Sequence, residues 1–301
     1  MDSLAAAPGT GPATSPLPLV RPVRAPRRFT DLPADRTLVM GILNVTPDSF
    51  SDGGQFGQAD SAIQAGLKMH YDGADIIDVG GESTRPDSVR ISPEEEQQRI
   101  LPVVEALVKA GALVSVDTMN ASTAEKAIAA GAALINDVSG LDVDPDMPGL
   151  IARTGAPYVL MHSRGAVRSS DPHAKYESVV DDVITELTKI RELFYEAGAT
   201  PEQIILDPGL GFSKDGSSNW ELLRNIDRLN AMGHRVLIGA SRKRFLGSLL
   251  ASSGKAAAPL ERDGATAAVT ALAALSGVWC VRVHNVGLSV DAVKTAAAWK
   301  G

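Results

Sequence analysis

Short apolar runs alternate with longer stretches of helical character along the chain from residue 37 onward. Several of these runs are continuously apolar instead of alternating with polar residues, a pattern typical of parallel strands covered on both faces. The stretches between them are rich in Ala, Leu and Glu. The pattern predicts strands at residues 38–45, 74–80, 113–117, 133–137, 157–161, 204–207, 235–240 and 280–284.

The intervening stretches carry signals for the start and the end of helices. Ser92, followed by Pro93 and two acidic residues, suits an N-cap with proline at the first helical position and negative charge in the first turn. Gly73, Gly131 and Gly198 each follow a helical stretch and suit the position after a helix C-terminus. The predicted helices cover residues 59–71, a segment starting at 93, 121–130, 148–153, 179–197, 218–232, 243–251 with 264–276, and 289–299.

Eight strands that alternate with helices over residues 37–301 predict an α/β fold, a single-domain (β/α)₈ TIM barrel. The structural alternative is a doubly wound open sheet. That fold would usually be expected to have a glycine-rich dinucleotide turn after its first strand. The first predicted strand leads instead into Asn44-Val45-Thr46-Pro47-Asp48, so the barrel is favoured.

Residues 1–36 differ in composition from the rest of the chain, being rich in Ala and Pro with four arginines over residues 21–28. A secretory signal has its basic residues before an apolar stretch, and here that order is reversed. The repeated prolines also oppose the amphipathic helix of a transit peptide. We therefore predict a disordered tail over residues 1–36. No apolar run anywhere in the sequence reaches the roughly 20 residues that a membrane span needs.

Composition narrows the class of protein further. Hydrophobic residues make up 44% of the 301 residues and aromatic residues only 4%, so an aliphatic core is expected. The formal net charge of −7 argues against a nucleic-acid partner, and an anionic ligand would need local basic groups. A single cysteine, Cys280, excludes an internal disulfide and a cysteine-based metal cluster, which favours a reducing cytoplasm.

Polar residues stand at the ends of seven of the eight predicted strands. Asp and Asn at such places can simply cap helices or start turns. Because the strand ends of this fold form its active site, the recurrence favours a binding pocket over capping alone. The strand-end residues are Asn44, Asp78, Asp117, Asn136, Asp137, Asp207, Ser241, Arg242, Lys243, Arg282 and His284.

The predicted pocket has two chemical halves. In the first, Asp117, Asn136, Asp207 and Lys243 could present acceptors and donors to a flat heterocycle. A purely structural ion pair between an aspartate and Lys243 is the alternative explanation. Nothing in the sequence indicates covalent catalysis, because Ser241 lacks an evident His–Asp partner arrangement.

The second half is basic. Thr84 and Arg85 follow the second strand in a glycine-rich segment, and Arg282 and His284 lie two apart and therefore on one face of the eighth strand. Arginine forks match phosphate oxygens, although Arg85 alone could be a solvated loop residue. We expect a Mg²⁺ ion between Asn44 and ligand phosphates, since Mg²⁺ uses few protein ligands.

Seven segments together resemble the signature motifs of the dihydropteroate synthases, in family order and over the whole barrel. Such a set is far more specific than any single motif. The segments cover residues 44–54, 78–86, 115–118, 136–140, 206–212, 241–247 and 282–284. One departure is Ser163 after the fifth strand, where a bulkier residue is expected, which leaves the shape of that loop open.

The resemblance implies three groups of binding residues, with Asn44, Arg85, Lys243, Arg282 and His284 as catalytic residues. The pterin would contact Asp117, Asn136, Met161, Asp207, Gly239 and Lys243. The diphosphate would be held by Asn44, Thr84, Arg85, Arg282 and His284, with Mg²⁺ near Asn44. The p-aminobenzoate pocket, the family's sulfonamide target, would comprise Phe50, Thr84, Arg85, Pro86, Phe212, Ser241 and Lys243.

The implied reaction belongs to folate biosynthesis. A dihydropterin methyl diphosphate loses diphosphate, and p-aminobenzoate attacks the resulting cation. The resemblance also implies a homodimer that pairs through helices late in the barrel. Two alternatives stay open: a methyltetrahydrofolate:corrinoid methyltransferase, which shares the barrel but binds no diphosphate, and a non-catalytic pterin-binding paralogue.

Overall fold

A closed barrel of parallel strands forms the centre of the molecule, so the prediction of a (β/α)₈ barrel is confirmed. The computed structural model describes residues 28–46, 54–82, 90–165 and 175–301, and of residues 54–57 only the backbone. The strands, in barrel order, are β1 (Leu38–Asn44), β2 (Ile76–Gly80), β3 (Val114–Asp117), β4 (Leu134–Asp137), β5 (Tyr158–Met161), β6 (Ile204–Asp207), β7 (Arg235–Ile238) and β8 (Cys280–Val283), which pairs with β1.

Helices follow the strands along the chain. They are α1 (Gly54–Tyr71), α2 (Pro93–Lys109), α3 (Ala121–Ala129), α4 (Met147–Thr154), α5 (Val179–Glu196), α6 (Gly216–Arg224), α7 (Ile226–Asn230), α8 (Arg244–Leu249), α9 (Asp263–Leu275) and α10 (Val286–Lys300). Ser92 caps α2 as predicted, accepting the Glu95 N–H at 3.2 Å. Within the described residues, no helix has the length and apolar character that crossing a membrane requires.

The helix predicted over residues 218–232 is wrong in one respect, because the structure divides it into α6 and α7. The break is at Asn225, whose backbone has φ −116° and ψ 31°. Its side-chain amide donates to the Glu221 carbonyl at 2.8 Å, a local bond of the kind by which asparagine competes with helical hydrogen bonding.

Two hydrophobic clusters occupy the two sides of the barrel wall. The larger one packs the outer faces of the strands against the helices. The smaller one fills the barrel and takes its buried residues from every strand or from the residue just before it: Leu38, Met40, Ile76, Leu113, Leu134, Val159, Ile205, Leu237 and Cys280. This inner cluster tells which face of each strand points inward.

The described part of the chain includes residues 28–36, which precede the predicted boundary at residue 37. Phe29 and Leu32 pack against the inner cluster, and the Phe29 ring lies 5.7 Å from the ring of Trp279. Arg36 forms two hydrogen bonds of 2.8 Å with the buried carboxylate of Asp75. Residues 28–36 therefore close the N-terminal end of the barrel, while the predicted disorder of residues 1–27 lies outside the described residues.

Candidate active site

Strand alternation carries a row of polar side chains into the mouth of the barrel. Because successive side chains point to opposite faces, residues two or four positions after an inner-cluster residue also face inward. That rule places Asp78 two residues after Ile76, and Asn136 two residues after Leu134. The inward residues at the C-terminal strand ends are Asn44, Asp78, Asp117, Asn136, Met161, Asp207, Gly239, Arg282 and His284.

Arg282 lies at the centre of this row. Its Nε donates to Asp78 Oδ2 and its Nη2 to Asp117 Oδ2, both at 2.6 Å. The Asn136 amide donates to the same Asp78 oxygen at 2.9 Å. Burial raises the pKa of Asp117 to about 7, although the Arg282 charge opposes this shift. The site thus holds two carboxylates and one guanidinium away from bulk water.

Asp78 is a residue of this pocket that was not among the predicted binding residues. Its side chain is fully buried, and its Oδ1 has no hydrogen-bond partner among the described residues. Asp78 has the same two-residue spacing from the inner cluster as Asn136, a relation that becomes visible only once the inner face of each strand is known. A buried carboxylate oxygen without a partner is costly, which indicates a place for a donor from a ligand.

Asp207 and Lys243 form a second part of the site. Asp207 Oδ1 accepts the Gly209 N–H at 2.7 Å, and Gly239 leaves the space beside the other oxygen open, since a β-carbon there would stand 3.7 Å from Oδ2. The ammonium of Lys243 donates to the Leu210 carbonyl and lies 4.5 Å from the centre of the Phe212 ring.

Burial lowers the pKa of Lys243 to about 8, opposed by the Asp207 carboxylate. Within the described residues, the ion pairs at the mouth are made by Arg282 with Asp78 and Asp117, and not by Lys243. The aspartate ion pair that was the alternative explanation for Lys243 is therefore made by Arg282 instead.

Ser241 and His284 are hydrogen-bonded to each other, an arrangement that the sequence did not reveal. Ser241 Oγ accepts the backbone N–H of His284 at 3.1 Å and lies 2.9 Å from His284 Nδ1. Burial, with the charges of Arg242 and Arg282, lowers the pKa of His284 to about 4, so the imidazole is neutral at pH 7. A hydroxyl that already accepts one N–H can donate its proton to Nδ1, which leaves the imidazole proton on Nε2.

Asp137 also ends a strand, but its side chain lies on the other face of β4. It accepts the Tyr158 hydroxyl at 2.6 Å and the Ser139 N–H at 2.7 Å, and Tyr158 belongs to the outer cluster. Capping and packing therefore account for this residue. The two explanations considered for the strand-end residues both hold, one on each face of the barrel wall.

Behind the site, a buried polar cluster joins the loops after β5 and β6. The Lys214 ammonium lies 2.8 Å from His162 Nδ1 and 3.1 Å from the carbonyls of Gly209 and Phe212. His162 Nε2 lies 2.8 Å from Glu186, which also pairs with Arg164.

Burial and the neighbouring Lys214 charge lower the pKa of His162 to about 4. Burial alone would raise the pKa of Glu186, but hydrogen bonds from His162 and Arg164 lower it to about 2. Burial also lowers the pKa of Lys214 well below its usual value. The cluster thus holds a neutral imidazole between the Lys214 side-chain nitrogen and the Glu186 carboxylate. Neither His162 nor Lys214 was among the predicted site residues.

Four predicted site residues lie outside the described residues, namely Phe50, Thr84, Arg85 and Pro86.

Phe212, by contrast, lies in a described loop beside Lys243. Gly211 adopts φ +76°, and a β-carbon there would stand 2.7 Å from Lys243 Cδ, so this glycine lets the lysine stem pass across the loop. Ser163, the departure noted in the sequence, packs against Gly140, where a β-carbon would stand 2.6 Å from the Ser163 Cβ.

Comparison with known proteins identifies the family. The model of the family described as "Pterin binding enzyme" matches residues 40–284. The dihydropteroate synthase of Mycobacterium leprae is 48% identical over 264 residues, which cover 87% of this chain and 93% of that protein.

Solved structures agree with this match. The dihydropteroate synthase of Clostridium difficile, determined in the presence of pteroic acid, superposes with a TM-score of 0.81 at 38% identity, covering 88% of this chain and 97% of that one. The Xanthomonas albilineans dihydropteroate synthase with 4-aminobenzoic acid gives 0.82 at 39% identity, with 89% and 94% covered. With a barrel, a polar mouth and motifs that agree with these relatives, the chain belongs to the dihydropteroate synthases of the pterin-binding enzyme family.

Proposed function

We propose that this chain condenses (7,8-dihydropterin-6-yl)methyl diphosphate with p-aminobenzoate, giving 7,8-dihydropteroate and diphosphate in folate biosynthesis. The observation that carries the proposal is the inward row at the barrel mouth, where the Arg282 guanidinium binds Asp78 and Asp117 and the Asn136 amide donates to Asp78. Asp207 lies on the same inner face of the barrel wall, two residues after Ile205. Carboxylate and amide groups suit the N–H-rich edge of a pterin ring. The relatives solved with pteroic acid and with 4-aminobenzoic acid support the same substrates.

The pterin would lie deep in the mouth, with Met161 and Gly239 beside the ring and Lys243 above Asp207. Asp78 Oδ1, buried and without a partner in the described chain, adds an acceptor at the same depth. Arg282 would then hold two roles, since it neutralises the two buried carboxylates and presents its remaining N–H groups to the departing diphosphate.

The reaction proceeds by departure of diphosphate, which leaves a cation on the methylene carbon that the pterin ring delocalises. Arg282 and neutral His284 would stabilise the negative charge on the leaving group, His284 through its Nε2 proton. Asn44, Thr84 and Arg85 complete the proposed set around the diphosphate. The amine nitrogen of p-aminobenzoate, bound by Phe50, Pro86, Phe212, Ser241 and Lys243, then bonds to the carbon and releases one of its protons to the solvent.

We propose that a Mg²⁺ ion binds at the barrel mouth through one protein donor, Asn44. Asn44 is an inward-facing oxygen donor at the end of β1, and the described residues contain no group of three or more His, Cys, Asp and Glu that could hold a metal. A hard cation held by one amide oxygen and by diphosphate oxygens agrees with that arrangement. When bound, it would neutralise charge on the leaving diphosphate.

We also propose a homodimer in the cytoplasm. Large apolar side chains are exposed late in the chain: Leu260 (72% exposed) just before α9, Leu272 (63%) on α9 and Trp299 (80%) on α10. Such residues suit an interface between two copies. The buried free thiol of Cys280 suits a reducing compartment.

The test is an assay of diphosphate release and dihydropteroate formation with purified protein, both substrates and Mg²⁺. Arg282→Ala should reduce kcat/KM by roughly 100-fold or more, because a charge-assisted contact to the leaving group is lost. Arg153→Ala, which removes an exposed ion pair with Glu125, is the matched control. A folded wild type that binds the pterin but makes no product would favour the non-catalytic paralogue. Binding of methyltetrahydrofolate without any requirement for diphosphate would favour the corrinoid methyltransferase.

A further inference from the structure

Arg242 lies between two residues of the proposed site, and its side chain pairs with Asp263 at the start of α9. Its guanidinium forms a bidentate ion pair with Asp263, with Nε–Oδ1 and Nη2–Oδ2 distances of 2.7 and 2.8 Å. Its backbone has φ +57°, in the left-handed region that residues with a β-carbon rarely adopt. Contacts with other residues must therefore stabilise this backbone conformation.

The backbone groups of Arg242 are held by the same segment as its side chain. Its N–H donates to Thr266 Oγ1 at 3.2 Å, and its carbonyl accepts from Arg262 Nη1 at 2.7 Å. Thr266 Oγ1 in turn donates to the Arg262 carbonyl at 3.0 Å. We call Arg262, Asp263 and Thr266 the α9 clamp, since they lie at the start of α9 and bind the donors and acceptors of Arg242.

The residues on either side of Arg242 point to different parts of the site. Ser241 hydrogen-bonds to His284, and Lys243 reaches across to the loop that follows β6. Asp263 also accepts the side-chain amide of Asn285 at 3.0 Å, the residue directly after His284. One carboxylate of the clamp therefore ties together the loop after β7 and the loop after β8.

We propose that the α9 clamp positions Ser241, Lys243 and His284 for the substrates, and that Arg242 is a positioning residue without substrate contact. The inference rests on the proposed function for the roles of these three residues. The physical reason is that a left-handed residue with a β-carbon relaxes when its restraints are lost, and relaxation would turn the flanking side chains out of register.

The decisive comparison is between Arg242→Ala and Arg242→Gly. Both substitutions remove the guanidinium. Glycine adopts the left-handed conformation freely, whereas the population of that conformation is roughly tenfold smaller for alanine. We expect Arg242→Ala to lose about tenfold or more in kcat, and Arg242→Gly to keep activity within about threefold of the wild type. Arg228→Ala, which removes an exposed ion pair with Asp181, should leave kcat unchanged.

A second measurement does not depend on activity. In protein labelled with ¹⁵N-histidine, His284 should show the Nε2–H tautomer in the wild type, in Arg242→Gly and in Arg228→Ala. In Arg242→Ala and Asp263→Asn the Ser241 bond should weaken and the two tautomers should mix. If thermal denaturation shows that Arg242→Ala does not fold, the His284 spectrum of Asp263→Asn is compared with that of the wild type instead.

Equal losses of activity in Arg242→Ala and Arg242→Gly, or an unchanged His284 spectrum in both Arg242→Ala and Asp263→Asn, would overturn the proposal. A wild type that makes no dihydropteroate would instead refute the proposed function, and the histidine spectra would still decide whether the clamp positions His284.

Discussion

Arg282 on β8 donates to Asp117 at the end of β3 across a distance of 2.6 Å, although β8 and β3 are not neighbours in the barrel. The contact spans the barrel mouth and joins residues 165 positions apart in the sequence. Because the same guanidinium also binds Asp78, one positive charge offsets two buried carboxylates. The pocket is therefore prearranged for a ligand that offers N–H donors on one side and negative charge on the other.

Asp117→Asn should weaken binding of the dihydropterin diphosphate by roughly 10- to 100-fold, because hydrogen bonds to a charged group contribute about 1.5–3 kcal/mol. Isothermal titration calorimetry measures this directly. Asp137→Asn is the matched control, since Asp137 ends the neighbouring strand but faces Tyr158 on the outside of the barrel. It should lower stability and leave pterin affinity unchanged. Equal losses of affinity in both variants would contradict the assignment of Asp117 to the inner face and Asp137 to the outer face of the barrel wall.

Lys214→Ala should lower the free energy of unfolding by about 2–4 kcal/mol, because it leaves buried acceptors on His162, Gly209 and Phe212 without a donor. It should also raise KM for p-aminobenzoate, since Phe212 lies in the loop that Lys214 holds. Urea denaturation and steady-state kinetics measure the two effects. Lys68→Ala, which removes an exposed pair with Asp72, should change stability by less than about 0.5 kcal/mol.

The buried imidazole of His162 predicts a specific pH dependence of stability. Its folded pKa of about 4 lies below the ordinary histidine pKa of about 6.5, so between pH 6.5 and 4 the unfolded chain takes up a proton that the folded protein does not. The contribution is fully present above pH 6.5 and is lost as the pH falls towards 4, by roughly 3 kcal/mol in total.

In His162→Gln the part of the loss that His162 carries should be absent, while the loss from His284, whose pKa is also lowered to about 4, should remain. Urea denaturation of both proteins at several pH values between 4 and 8 gives the two slopes. Parallel curves for the wild type and the variant over pH 4–6.5 would show that another group carries the dependence.

A chain that starts at Thr37 should be less stable than one that starts at Arg28 by at least about 2 kcal/mol. The shorter chain lacks Arg36, which leaves the buried Asp75 carboxylate without its cation, and it lacks Phe29, which covers the inner cluster. Arg36→Ala in the longer chain isolates the ion pair. Identical melting temperatures of the two truncated chains would mean that residues 28–36 contribute nothing to the fold.

The sequence by itself determined the barrel and most of its strands. Continuous apolar runs, a helix cap at Ser92 and polar strand ends are local patterns, and each predicts its own element without knowledge of the others. Motif resemblance determined the family in the same way, because short segments carry it in order along the chain.

Only the tertiary structure decided which strand-end residues meet. Asp78 and Asp137 look alike in the sequence, yet one faces the pocket and the other faces Tyr158, because a side chain's face depends on its register with the inner cluster. The Ser241–His284 bond and the turn of Arg242 towards Asp263 likewise join residues that are distant in the chain. Such contacts join separate loops and helices, so they exist only once the neighbouring strands and α9 have packed together.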